Sequence, residues 1–372
     1  MQIKNFSSIL FADGIGAIFT AIFWILFASL IEPEQYGEIA FLLGIASFVT
    51  TISIIGTQET LTVYLAKKVK IESTFYFLGL VIGIISSLVV LLIFYRLDLI
   101  FLIFAYMINV LAIGELLGKK LYKSYAKYVL IQKISTLILG LGFFYLFGID
   151  GILYALAITY VMYAIRIFQG FKNSKINFSL LKPRKGFIAT NYTLVVTTGL
   201  QSQLDKFIIA PLLGFALLGN YALALQIIGI MMIFPSVLFK FILPQDSSKV
   251  SNKKFKQISI LISVLIAITG FLLAPILIPE LFPKYTDVIL AIQIMSFNVI
   301  VATINYIRTS KFLGLEKSKY LLMNKIIQIL VLVSGMVILG TTYGITGLAV
   351  AFVLNSLSSL IFLTIIEKIK KI

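Results

Sequence analysis

Runs of about 20 mostly apolar residues follow one another through this chain with almost nothing between them. No other feature constrains its fold as much. A membrane span needs about that length, and reading on that rule gives twelve, the first near 8–30, the seventh near 187–213 and the last near 343–366. Of the 372 residues, 60% are apolar and 12% are charged, where a soluble domain carries roughly a quarter charged residues. An ordinary soluble enzyme and a disordered chain are both excluded. The outer loops RLD (96–98), FGID (147–150) and TTYG (341–344) are a few residues long. The first span is too long for a cleaved leader and runs into IEPEQYG, not a small-residue cleavage site.

Lysine and arginine orient the spans, because cytoplasmic loops carry an excess of both. With a cytoplasmic N-terminus, all of the 31 basic residues except Arg96, Lys206 and Lys284 fall in the termini, the even-to-odd loops or the adjoining span ends. Both termini are therefore expected in the cytoplasm. The net charge of +16 reads as an inner rim and not as a nucleic-acid surface. Anionic membrane lipids are the partners such a rim attracts, and no nucleic-acid partner is expected. Cysteine and histidine are absent, which removes disulfides, the usual zinc and haem ligands and the usual general base. No metal, cofactor or catalytic residue is expected, and the chain reads as a non-enzyme. GELLGKK at 114–120 comes near a phosphate loop, but it has three residues between the glycines and Lys120 where Ser or Thr belongs. It reads as a helix end followed by a basic loop.

The chain also repeats itself. ASLIEPEQYGEIAFLLGI from Ala28 aligns with APLLGFALLGNYALALQI from Ala210 at six of 18 positions, matching Gly37 with Gly219. YVLIQKI at 128–134 matches YLLMNKI at 320–326, pairing Lys133 with Lys325, and FGIDGILYA at 147–155 matches YGITGLAVA at 343–351. Six spans per half start both halves on the same side, so they are parallel repeats about an axis along the membrane normal. The expected division is a six-helix bundle over 1–169, a basic cytoplasmic linker over 170–186 and a second six-helix bundle over 187–372. The fold class is an all-α polytopic membrane protein of about twelve transmembrane helices.

Charged groups at mid-bilayer cost roughly 2.5–3.5 kcal/mol each on insertion scales, so those present are functional candidates. Span 7 is the richest. Asn191, Thr198 and Asp205 are spaced by seven, a drift of about 20° per step, and Gln201 joins that face four before Asp205. The stripe reads either as the wall of a water-filled substrate cavity or as interhelical hydrogen bonding. Lys206, about 100° away, reads as a phosphate ligand, as a partner for a carboxylate, or as a snorkelling cation. Asp13 lies in the inner third of span 1. Glu115 and Arg166, near the cytoplasmic boundary, are gate or salt-bridge candidates, with simple solvation the plainer reading. Lys133 and Lys325 read as inner-rim residues that snorkel. Asn298 and Asn305, seven apart in span 10, read as helix-packing residues. Prolines 211, 235, 244, 275, 279 and 283 all fall in the second half, which predicts that spans 8 and 9 bend more than spans 2 and 3.

EPEQYGEIAF after an opening helix, and IGTQETLTVYLAKK at the end of the second, resemble the start of polysaccharide-type flippases. These belong to the superfamily that also holds the MATE drug exporters and the lipid II flippases. LDKFIIAPLLGFALLGNYALALQI at 204–227 resembles the start of that family's second half, an acidic–basic pair followed by a GxYxxA-like element, and GITGLAVA fits near the last span. The motifs are loose and apolar, but they cover nearly the whole chain. The resemblance implies a MATE-like architecture and alternating access. It also implies movement of a lipid-diphosphate-linked oligosaccharide from the cytoplasmic to the outer leaflet of the cell membrane by a monomer, with a proton or sodium ion as a candidate coupling ion. Span 1 would face span 7 across the central path, which makes Asp13 the second cavity candidate. The lipid II branch usually has fourteen spans and an arginine-rich cavity, so the resemblance points away from it. A cation-coupled drug or metabolite exporter of the same fold is the alternative that Asp13 and Asp205 allow. A membrane-embedded glycosyltransferase needs a larger outer loop, and a scaffold has no use for the polar stripe.

Overall fold

The computed structural model describes residues 2–248, 253–315 and 317–370, without the side chains of 2–10, Pro244, Ser247 and Ser318. Among these residues all regular structure is helical. In chain order the helices are α1 (Gln2–Leu30), α2 (Pro33–Ser53), α3 (Gln58–Ala66), α4 (Glu72–Phe94), α5 (Leu97–Gly118), α6 (Tyr122–Phe147), α7 (Gly151–Thr159), α8 (Ala164–Asn173), α9 (Lys185–Gln201), α10 (Leu204–Leu213), α11 (Phe215–Met231), α12 (Ile233–Ser247), α13 (Lys253–Leu281), α14 (Val288–Ser296), α15 (Asn298–Gly314) and α16 (Ser318–Ile369). Eight stretches are long and apolar enough to cross a membrane, and two of them, 52 and 51 residues long, are long enough to cross twice. α16 makes its turn at Gly344, whose φ of 57° suits glycine. The bent pair α11–α12 supplies a further crossing among the described residues, which is roughly consistent with the expected figure of about twelve.

Breaks within spans have local causes. α11 and the start of α12 meet at 45°. Pro235 lies just beyond the bend; it has no N–H for the Met231 carbonyl, and its ring crowds that group. Span 8 therefore bends as the prolines predict. Span 9 does not break: α13 runs through Pro275 and Pro279 as one helix of 29 residues. At the end of span 2, with no proline nearby, the helix stops at Ser53 and restarts at Gln58. The cause there is close packing and capping. A Cβ on Gly56 would sit 2.2 Å from the Phe75 ring. Thr57 then restarts the helix as its N-cap, accepting from the Thr60 N–H at 3.2 Å.

Packing gathers the chain into two compact units: Met1–Phe27 with Leu42–Gln203, and Ala28–Phe41 with Leu204–Ile372. The dividing point lies in the interruption of span 7, between α9 and α10. α9 joins the first unit because Tyr192 donates to the Ile52 carbonyl at 2.7 Å, and because a Cβ on Gly199 would lie 2.9 Å from Thr51. In the first unit α5 is central, with Leu99, Leu102, Met107, Leu111 and Leu116 buried, while Leu88, Val89, Leu92 and Ile93 of α4 stay exposed. Lipid tails are as apolar as leucine, so helices are held together by small and polar residues instead. Ser53 and Ser86 meet at 2.6 Å, and Gln132 of α6 donates to the Thr159 hydroxyl of α7 at 3.5 Å. The second unit follows the same logic, with Ser263–Thr303 at 2.6 Å and Asn324–Ser359 at 2.9 Å. Asn305 donates to the Ser356 carbonyl at 2.8 Å, the helix contact expected of it.

Candidate substrate path and charged rim

The polar stripe of span 7 is not carried by one continuous helix. α9 ends at Gln201 and α10 begins at Leu204, so the spacing that put Asp205 on the face of Asn191, Thr198 and Gln201 does not apply across the break. This corrects the sequence reading, which had no proline or glycine at 202–203 to warn of the break. Backbone bonds from Ser202 to Thr198 and from Gln203 to Leu200, both at 3.0 Å, close the end of α9. Asp205 falls in the first turn of α10, where the helix dipole favours an anion. Lys206 lies beside it, 3.5 Å from its Oδ1, with the two side chains only 21% and 13% exposed. The other three residues lie in the first unit. Thr198 is exposed and donates to its own helix at Leu194. Gln201 is half-buried at the end of α9. Asn191 Nδ2 donates to Thr57 Oγ1 and Thr60 Oγ1 at 2.6 and 2.7 Å. It thus braces the cap that restarts span 2, satisfying polar groups that a broken helix leaves unpaired at membrane depth. Asn191→Leu is expected to lower stability by about 1 kcal/mol, read as a lower thermal midpoint in detergent. An unchanged midpoint would remove the bracing role.

Asp13 is exposed on α1 and accepts from Tyr125 Oη at 2.7 Å. On α6 the four-residue spacing of Tyr125, Val129 and Lys133 turns all three toward α1. A Cβ on Gly16 would lie 3.1 Å from Lys133 Cγ and 3.6 Å from Val129. Sequence reasoning named Asp13 and Lys133 and missed Tyr125, the hydrogen-bond partner of Asp13. Lys325, the repeat partner of Lys133, is exposed and forms no ion pair among the described residues.

Glu115 and Arg166 are not solvated charges. Glu115 is fully buried and takes a bidentate pair from Arg166 at 2.9 Å, plus Lys119 Nζ at 2.7 Å; Lys119 also reaches Glu72 at 3.3 Å. The cause is helix packing that sequence alone did not reveal. Gly114 and Gly118 form a small-xxx-small surface on α5. A Cβ on either would lie 3.0 Å from the Gln58 carbonyl oxygen or 2.7 Å from Leu65 Cβ, so α3 lies directly on them. The near-miss to a phosphate loop at GELLGKK is thus a helix-crossing motif, and its three-residue spacing was the signal. The second unit has a counterpart at its basic end. There Glu367 of α16 is paired by Arg308 and by Lys311 at 2.6 Å, both on α15. In the first unit span 4 supplies the carboxylate and span 6 the arginine; in the second, span 10 supplies the arginine and span 12 the carboxylate.

These features define a class: an all-helical membrane protein of about twelve spans, with charged side chains at broken helices and an ion cluster in each unit. No family model matches the sequence, and no curated protein does. Among solved structures, the lipid II flippase MurJ in an inward closed conformation matches with a TM-score of 0.77 over 97% of this chain and 87% of that one, at 14% identity. An inward-facing multidrug resistance MATE family transporter of the MOP superfamily gives 0.65 over 96% of each chain at 15% identity. A MATE in the bent conformation gives 0.59 over 99% and 96% at 15% identity. What is shared at such identities is the fold. The sequence departures from the lipid II branch do not extend to it, since the flippase has the highest TM-score of these three.

Proposed function

We propose that this chain is a transporter that moves a lipid-diphosphate-linked oligosaccharide from the cytoplasmic to the outer leaflet of the cell membrane by alternating access. The observation that carries the reading is the match to a lipid flippase over nearly the whole chain. It is supported by a basic inner rim suited to a diphosphate and by outer loops too small for a catalytic domain. In this reading the residues that meet the sugars are Asp13, Thr198 and Gln201 in the first unit, with Asn191 shaping the wall through Thr57, and Asp205 and Lys206 in the second. The lipid tail stays in the bilayer. Glu115 and Arg166 hold the inner ends of their helices together, while Lys133 and Lys325 attract the head group. A cell interior at negative potential favours outward movement of an anion by roughly 2.3 kcal/mol per charge per 100 mV. Asp13 and Asp205 are the candidate sites for coupling to a proton or sodium ion, and the protein acts as a monomer.

The test is leaflet analysis of lipid-linked oligosaccharides in cells depleted of the protein. A completed glycolipid is expected to accumulate on the cytoplasmic leaflet. Wild type should clear it, and Asp205→Ala should reduce that clearance at least about tenfold, the loss expected if a charge at membrane depth is functional. Full rescue by Asp205→Ala removes the residue from the path. The MATE matches and the exposed Asp13 carboxylate favour a second reading, a cation-coupled exporter. A normal glycolipid distribution with new sensitivity to a cationic compound would select it.

A further inference from the structure

Two helices of the first unit end side by side in the same unusual way. α3 closes with Lys68 N–H on the Leu65 carbonyl and Val69 N–H on that of Tyr64, both at 2.9 Å. α5 closes with Lys120 N–H on Leu117 at 3.0 Å and Leu121 N–H on Leu116 at 2.8 Å. Both are Schellman closures, and their left-handed residue is ordinarily glycine. Here it is lysine both times, at φ 61° for Lys68 and φ 57° for Lys120. Non-glycine residues resist this conformation, and such strain gathers at ligand sites. Since backbone N–H groups already cap the helix ends, neither ammonium is needed for that task.

Both lysines line one cavity of about 540 Å³, together with Lys70, Lys119, Glu72 and Asn173. That volume suits a small ligand or head group. The cationic members differ in availability. Lys119 is spent on Glu115 and Glu72. Lys68, Lys70 and Lys120 are exposed and form no ion pair among the described residues. Glu72 is buried, and its Oε2 has no hydrogen-bond partner. A buried acceptor without a donor is costly, and a hydroxyl on the ligand would satisfy it. Basic pockets at the inner ends of transmembrane helices are suited to phosphate-bearing head groups.

We propose that this pocket binds a hydroxyl-bearing, phosphate-bearing lipid head group at the inner membrane surface, through Lys68, Lys70 and Lys120 on the phosphoryl oxygens and Glu72 on a hydroxyl. Two lipids carry that chemistry: a resident phosphatidylglycerol, and the diphosphate-linked sugar of a carrier lipid. Only the second depends on the transport reading above.

The purified full-length protein would be titrated in detergent with short-chain phosphatidylglycerol and with a short-chain polyprenyl diphosphate sugar, and retained lipid read by native mass spectrometry. K68Q/K70Q/K120Q is expected to weaken retention of at least one lipid by about tenfold or more, on the scale of losing several lysines beside a head group. K123Q/K127Q/K319Q removes the same charge from other exposed positions and is expected to change retention less than about twofold. K68G/K120G keeps both turns, relieves their strain and should melt no lower than wild type while binding more weakly. Loss confined to phosphatidylglycerol identifies a resident lipid, and loss confined to the diphosphate identifies cargo; either supports the pocket. Equal losses in both triple variants, or undiminished binding by K68G/K120G, overturn it. Leaflet analysis in cells tests the transport reading separately, so the two can fail independently.

Discussion

Gly219→Ala is expected to destabilise the second unit by more than about 3 kcal/mol, at the upper end for overpacking. A Cβ there would lie 1.7 Å from the Pro33 carbonyl oxygen, and one on Gly37 would lie 1.9 Å from that of Phe215. Backbone atoms cannot rotate away as a side chain can, so the only relief is to part the start of α2 from α11. That contact is reinforced nearby. Lys284 pairs with Glu32 at 3.0 Å, Tyr285 donates to the Ile31 carbonyl at 3.4 Å, and the rings of Tyr36 and Tyr285 meet edge to face at 6.3 Å. The control is Gly229→Ala, where no atom lies within 4 Å; it should be neutral or gain up to about 1 kcal/mol from helix propensity. Thermal unfolding in detergent checks both. A Gly219→Ala protein that melts with wild type would mean that the crossing is looser than its geometry states.

Arg166→Leu is the second large effect, a loss of about 3 kcal/mol, because it takes the bidentate partner from a fully buried carboxylate and leaves it Lys119 alone. Glu115→Leu/Arg166→Leu should recover much of that loss, since two apolar residues leave no unpaired charge. The exchange Glu115→Arg/Arg166→Glu tests the mirrored arrangement directly. It would place an arginine and Lys119 on one helix facing a single carboxylate, the pattern already formed by Arg308, Lys311 and Glu367. The exchange should therefore be more stable than either of its single substitutions. If it is the least stable of the three, the two clusters are not equivalent.

The fold class was legible for simple reasons. Twenty apolar residues have one economical place to go, and lysine bias gives them a direction. Gly37 and Gly219 were matched by sequence before they were known to meet; a backbone crossing at 1.7–1.9 Å from a would-be Cβ accepts only glycine, so both halves keep it. Asn191 was read as a cavity-wall or helix-bridging residue, but its partners Thr57 and Thr60 lie more than 130 residues away and were not legible. The seven-residue spacing could not be carried through to Asp205, because the interruption at Ser202–Gln203 has no local mark. It is visible only once α9 is seen to pack with α2 and α3.

Taken alone, then, the sequence determined an all-helical membrane fold and where most of its long apolar spans lie. Those properties follow from local composition and chain length. Tertiary structure alone decided which charges are buried and paired, where spans 2, 7 and 8 are interrupted, and that the two basic ends carry ion clusters of opposite arrangement. An ion pair has no preferred sequence separation, and swapping its partners erases the identity that a repeat comparison detects while leaving the attraction unchanged.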